Sequence, residues 1–249
     1  VSYDDILGEL TLYKNGKLVS QAQNIPAHND PQAYIGAYGG CCTFQGKIDE
    51  VRIWDRVLTM EEIRANMCQK LQGTEPGLSA YFRFDETAGG IAPNVTAAPA
   101  GQFFNFQGLG LNEAWHRSGA PIGTKSNYSY EDVTQISLSV ASGDSLVLST
   151  SGVPDFIHLY FVEEVPNVLE PALDYVLVDN ANYFGLFYAN QSINNYDLKY
   201  YYSGNPFAFV QEQNLGLLRR RNNAQAYWEE SPQFLVNQAE NTINTSGTI

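Results

Sequence analysis

The chain has 249 residues, a net charge of -13, 16 Tyr and 13 Phe, and charged side chains make up only 16% of it. That length allows one or two domains, and the acidity argues against a nucleic-acid or anionic-membrane partner. Richness in Tyr, Asn, Gly and Val favours β-sandwiches over helix bundles, and no stretch is apolar for long enough to form a membrane-spanning helix.

The chain opens on Val1 rather than Met, so a cut N-terminus is expected, and no signal peptide is visible. Val1 to Val19 reads as a short strand and then LTLYKNGKLV, a hairpin turning at Asn15-Gly16. A loop and a strand over Ala33–Tyr38 follow. Ile48, Val51, Ile53 and Trp54 suit a further strand, but their apolar residues fall on both parities. That predicts burial on both faces or a bulge near Asp49-Glu50.

The next signal is local and specific. Thr59 followed by Glu62 is a capping box, with Leu58 and Ile63 at the staple positions. Ile63, Met67 and Leu71 recur every four residues, which predicts a helix of about three turns closed by Gly73. Beyond it, Leu78 to Phe84 reads as a strand, Ala88 to Ala100 as a loop and Gly101 to Gln107 as a closing strand. Residues 117–127 read as a linker rich in Gly, Ser and Pro.

In the second half, ISLSV, SLVLS, IHLYFV, YFGLFYA, YDLKYYY, NLGLLRR and AYW recur with turn signals between them. Such a series predicts an antiparallel sandwich. The fold expectation is thus all-β: residues 1–116 a first domain with one short helix, residues 128–249 a β-sandwich module.

The run GKIDEVRIWDRVLTMEEI, with GELTLYKNGKLV before it and GLSAYFRFDETAGG after, resembles the laminin-G-like (concanavalin A-like, pentraxin-like) jelly roll of bacterial surface proteins. The resemblance implies a jelly roll met partway through, with its upstream strands missing or supplied by a partner segment. The order GDSLVLSTSGVPDFIHLYFVEEVPN, YFGLF, YDLKYYYSGNP, LLRRRNNAQAYW is similar to a sandwich module of large type IX-secreted Bacteroidetes adhesins, including gliding proteins. In that pattern another strand follows NTINTSGT. Both resemblances imply a secreted, cell-surface, non-catalytic adhesion segment whose partners are neighbouring modules of the same chain, glycans or another surface protein. The alternatives are a carbohydrate-binding accessory region of a polysaccharide-degrading enzyme, or a spacer.

Candidate sites are few. A disulfide from Cys42 (or Cys41) to Cys68 would staple the strand entry to the helix. Zinc is disfavoured, because three Cys without nearby His do not make a four-ligand set. Calcium, which the laminin-G resemblance implies, has candidate oxygen ligands in Asp4, Asp5, Asn29, Asp30, Asp85 and Glu86. The pentraxin Glu-Gln-Asp calcium loop is absent between Ile35 and Phe44. Neighbouring strand residues Asp49 and Glu50 should face opposite ways, so they do not form a catalytic pair, and Glu50 is expected to pair with Arg52. His28, His116 and His158 belong to no catalytic pattern. Arg219 to Arg221 should pair with acids or stack on Tyr and Trp228. Tyr200, Tyr201 and Tyr202 are candidate sugar platforms, with alternate residues in the core.

Overall fold

The structure is a computed structural model that describes residues 1–27, 32–37, 42–103, 114–131, 134–152, 154–169, 181–189, 195–203, 205, 208 and 212–247. It is mostly β, with antiparallel sheets and one short α-helix. Contacts divide the chain into two units: Val1–Ile63 with Leu71–Ala120, and Arg64–Lys70 with Pro121–Ile249. The sequence did not foretell that Arg64–Lys70 belongs with the second unit.

In the first unit, β1 (Ser2–Asp4), β2 (Glu9–Lys14) and β3 (Lys17–Ala22) form an antiparallel sheet. The hairpin turns where expected. Asn15 and Gly16 have φ of 52° and 69°, and two successive positive φ values give a turn whose twist matches that of the strands. Leu10, Leu12, Leu18 and Val19 are exposed on this sheet, and Thr11 is its buried residue. Ala33–Tyr38 was expected as a strand, but residues 33–37 are irregular and Tyr38 lies outside the described residues.

β4 (Val51–Trp54) pairs with β5 (Leu78–Phe82), and β6 (Ile91–Ala92) pairs with β7 (Gly101–Gln102). β4 is not buried on both faces: Ile53 is 39% exposed. Glu50 takes a left-handed φ of 54°, so extended backbone begins only at Val51, and a register irregularity falls between Ile53 and Trp54. Of the expected closing strand over Gly101–Gln107, residues 104–107 lie outside the described residues.

The helix α1 runs over Met60–Met67. Its capping box forms in both directions: Thr59 N–H donates to Glu62 at 2.8 Å and Glu62 N–H donates to Thr59 Oγ1 at 3.2 Å. Thr59→Ala should cost about 1 kcal/mol locally. Amide exchange over residues 60–67 would then speed about fivefold, and unchanged exchange would show that the cap is idle. The helix is shorter than its apolar stripe suggested. Leu71 leaves it to pack with Leu78 and Tyr81, and Gly73, with φ of 85°, turns the loop beyond. The reason lies at the next residues: Cys68 and Lys70 exchange backbone hydrogen bonds with Gly123, a parallel bridge that helical backbone cannot make.

The second unit is a sandwich. β8 (Lys125–Tyr130), β11 (Phe156–Val162) and β12 (Tyr183–Ala189) form one sheet, ordered β12-β11-β8. β9 (Gln135–Ser139), β10 (Ser145–Ser151), β13 (Asn195–Tyr201), β16 (Leu235–Asn237) and β17 (Thr242–Gly247) form the other, ordered β16-β17-β13-β10-β9. β14 (Leu218–Arg219) and β15 (Glu229–Glu230) make a small ribbon. The two inner faces meet in one cluster of Ile136, Leu138, Leu146, Leu148, Ile157, Leu159 and Phe161. The alternation of Ile136-Leu138 and Leu146-Leu148 predicted their inward parity.

Three strands escaped the sequence reading or were displaced. β8 lies within the stretch read as linker and at the assumed start of the module. NTINTSG, read as preceding a final strand, is itself β17 and pairs with both β13 and β16. β16, three residues long, is too short to show a pattern. The AYW run forms no strand.

Every residue of β11 is buried. Its inner residues enter the sandwich core. Its outer residues, Phe156, His158, Tyr160 and Val162, are covered by Tyr128 and Tyr130 of β8, Tyr183 and Phe187 of β12, and Cys68. Arg64 adds a guanidinium 3.9 Å from the centre of the Tyr130 ring. The segment Arg64–Lys70 is therefore part of how this unit closes its outer layer.

The expected Cys42–Cys68 disulfide is not formed: both are thiols, Cys42 exposed and Cys68 buried at 0% exposure. The Cys68 side chain packs as a small apolar group against Tyr160 and Val162, which occupies it in the second unit. Cys41, the alternative partner, lies outside the described residues.

Candidate functional site

Glu50, Arg52 and Tyr81 form a buried polar cluster at the β4-β5 pair. Arg52 and Tyr81 sit directly opposite in register, and Arg52 lies 4.9 Å from the centre of the Tyr81 ring. Glu50 accepts hydrogen bonds at Oε2 from the Arg52 guanidinium at 2.9 Å and from the Tyr81 hydroxyl. Arg52 and Glu50 thus pair as the sequence suggested. Burial pushes the Glu50 carboxyl above its ordinary range, although Tyr81 and Arg52 pull it back. Asp49 has a separate partner, the Ser118 hydroxyl. Its carboxyl is also raised, chiefly by burial and further by the charge of Asp85.

Glu50 is thus held by Arg52 and Tyr81, and Asp49 by Ser118 through one oxygen, while Asp49 Oδ1 is buried and makes no hydrogen bond among the described residues. The arrangement orders the strand pair. A retaining or inverting hydrolase would need two carboxyl groups facing one substrate bond.

The calcium candidates are not assembled. Asp4 spends Oδ1 on its own turn, accepting from the N–H groups of Ile6 and Leu7, both at 3.0 Å. Asp5 and Asp85 are exposed, and Glu86 holds one buried oxygen that makes no hydrogen bond among the described residues. Asn29 and Asp30 lie outside the described residues. Among the described residues, no group of three His, Cys, Asp or Glu side chains is placed to hold a metal ion. Calcium needs six to eight oxygens, and the described candidates Asp4, Asp5, Asp85 and Glu86 do not supply such a set among themselves.

In the second unit the three tyrosines separate by parity. Tyr202 is fully buried, Tyr200 packs against the sandwich core, and Tyr201 points outward. Arg220 of the triple-Arg run is boxed between the rings of Tyr183 (5.0 Å) and Trp228 (4.3 Å) and donates to Asn167 and Asn223. That is the stacking role expected on Trp228, and it fixes a loop rather than offering a free cation. His158 is buried among rings and shares a hydrogen bond of 2.9 Å with the Tyr130 hydroxyl at Nε2. His116 is exposed and His28 lies outside the described residues.

A shallow trough opens on the outward face of the five-stranded sheet. Strand register sets that face in three rungs. The first crosses Gln135, Ser149, Asp197 and Ser246. The second crosses Ser137, Val147, Lys199, Asn244 and Leu235. The third crosses Ser139, Ser145 and Tyr201 and ends on Thr242, which is fully buried. Val147, Ser149, Lys199, Asn244 and Ser246, with Phe234 and Leu235 at one side, line the shallow trough of about 580 Å³. Lys199 is bridged to Glu240 at 2.7 Å and lies 5.0 Å from the centre of the Tyr201 ring. The sequence did carry a signal for this surface: Ser137 and Ser139 alternate with core Ile136 and Leu138.

Residues 1–64 match the family described as the concanavalin A-like lectin/glucanases superfamily. The helix start at Thr59 and the β2-β3 hairpin, both quoted above for the laminin-G resemblance, fall within the matched residues. Searches of curated proteins and of solved structures return no match to the chain.

Proposed function

We propose that the chain is a non-catalytic adhesion or surface-display segment of a large secreted multidomain bacterial protein, with glycans as its ligand class. The observation that carries this reading is the handling of charge in the first unit. Asp49 and Glu50, its two carboxyls raised by burial, are each engaged by internal partners. Glu50 in particular is committed to the β4-β5 strand pair. Two β units in succession suit a bead in a string of modules, the build of type IX-secreted adhesins. On this reading the chain works at the cell surface beside its neighbouring modules.

The family description spans lectins and glucanases alike. A second reading therefore follows: an accessory region that holds a catalytic module on its polysaccharide. A glycan array combined with a reducing-end assay tests the main proposal. The full chain should bind at least one polysaccharide and release no reducing ends. Release of sugar from any polymer would sink the non-catalytic reading, and a catalytic module found in the intact mature protein would favour the accessory one.

A further inference from the structure

We propose that Arg64–Lys70 is an acid-released strap over the outer row of β11, with His158 as its trigger and the Cys68 thiol as the group it uncovers.

The strap is held along its length, within the second unit. At one end Arg64 lies over the Tyr130 ring, whose hydroxyl shares a hydrogen bond with His158 Nε2. Further along, Cys68 is buried against Tyr160 and Val162, the next outer residues of β11. At the other end Lys70 N–H donates to the Gly123 carbonyl at 2.7 Å, Gly123 N–H donates to the Cys68 carbonyl at 3.1 Å, and Lys70 pairs with Glu164. The backbone tie to the sheet is an isolated bridge between Gln69 and Gly123 rather than a ladder. Such a segment can leave without unzipping a strand pair, which is the condition for local opening.

His158 opposes a proton while the strap is closed. It is fully buried, and its Nδ1 makes no hydrogen bond among the described residues. The groups that face it are named by element. β8 presents the phenols Tyr128 and Tyr130, and β12 presents the uncharged Phe187, with Tyr183 farther along. On β11 itself stand Phe156 and Tyr160, and the strap brings Arg64 and Cys68. Among the described residues the charge that bears on His158 is that of Arg64. An imidazolium would therefore be buried and would meet a like charge. Burial and Arg64 hold the closed imidazole down to about 4. Release of the strap removes cover and the Arg64 charge together, and returns the ring toward its ordinary 6.5. The open form then binds a proton that the closed form refuses, so opening rises by up to about tenfold per pH unit as pH falls below 6.5.

The reaction of Cys68 with dithiodipyridine, in the full chain carrying Cys41→Ser and Cys42→Ser, tests this. Rates at pH 7.5 and pH 5.0, each divided by the rate in the urea-unfolded chain at the same pH, give the fraction open. Both pH values lie above the reference carboxyl range. The fraction open should rise at least tenfold from the higher pH to the lower. Its dependence on added urea should stay well below that of global unfolding, as a local opening requires. His158→Phe and, separately, His158→Gln should each hold the ratio between the two pH values near one. The inference is overturned if the fraction open does not rise, if it carries the full urea dependence of global unfolding, or if a folded His158 variant keeps the rise.

Discussion

Between pH 6.5 and pH 4 the second unit should lose about 3 kcal/mol of stability, and His158→Phe should abolish most of that loss. His158 has 0% exposure. The rings of Tyr128, Tyr130, Phe156 and Phe187 surround it, and its Nδ1 makes no hydrogen bond among the described residues. Burial, and secondarily the positive charge of Arg64, push the imidazole down to about 4 from its ordinary 6.5.

The sign follows from where the proton binds. Above pH 6.5 His158 is neutral in folded and unfolded chains alike, so it contributes no pH dependence. Between 6.5 and 4 only the unfolded chain takes up the proton, and stability falls by about 1.4 kcal/mol per pH unit. Below about 4 both forms are protonated and the loss levels off. Phe is of similar size and suits the surrounding rings, at the expense of the Tyr130 hydrogen bond. Urea midpoints measured against pH for both proteins give the comparison. An NMR titration placing His158 near 6.5 would remove the basis of the prediction.

The second large effect is a strand crossing that has room for no side chain. Gly185 on β12 faces Tyr160 on β11 directly in register, and the Tyr160 ring folds across it. A Cβ at Gly185 would come within 2.0 Å of Tyr160 Cζ and 2.4 Å of its hydroxyl oxygen. Gly185→Ala must therefore push Tyr160 out of its packing with Cys68 and Val162, an overpacking cost of about 3 kcal/mol. In a Tyr160→Ala background the clash is gone, and the same substitution should cost almost nothing. The double-mutant cycle should show a coupling of about 2 kcal/mol or more. Simple additivity would mean that the ring is free to move and that the glycine serves only the backbone.

These two residues mark the limit of a one-dimensional reading. IHLYFV is recognisable as a strand, and its Leu159 and Phe161 alternate toward the core. Nothing local says that His158 and Tyr160 are also covered, because their cover comes from β8, β12 and Cys68, distant in the chain. The open trough divides in the same way. Tyr201 was a candidate by parity, but the trough exists only because β17, a Ser- and Thr-rich strand lacking an apolar pattern, pairs beside β13. Glu50 was expected to face away from Asp49 as in an extended strand. Its left-handed backbone abolishes that geometry, and the two carboxylates are separated instead by their different partners.

By itself the sequence determined the pieces whose energetics close within a few residues. Among them are the Asn15-Gly16 turn, the Thr59–Glu62 cap, the alternating strands of the second unit and the Glu50–Arg52 pair. Each rests on backbone torsions, short hydrogen bonds or side-chain period, and each is written in adjacent letters. Tertiary structure alone decided that the helix stops at Met67, that Arg64–Lys70 packs with the second unit, that Cys68 is a buried thiol and that one sheet face stays open. Those outcomes depend on burial by segments far apart in the chain, and the free energy of burial belongs to the assembled surfaces rather than to any residue's neighbours in sequence.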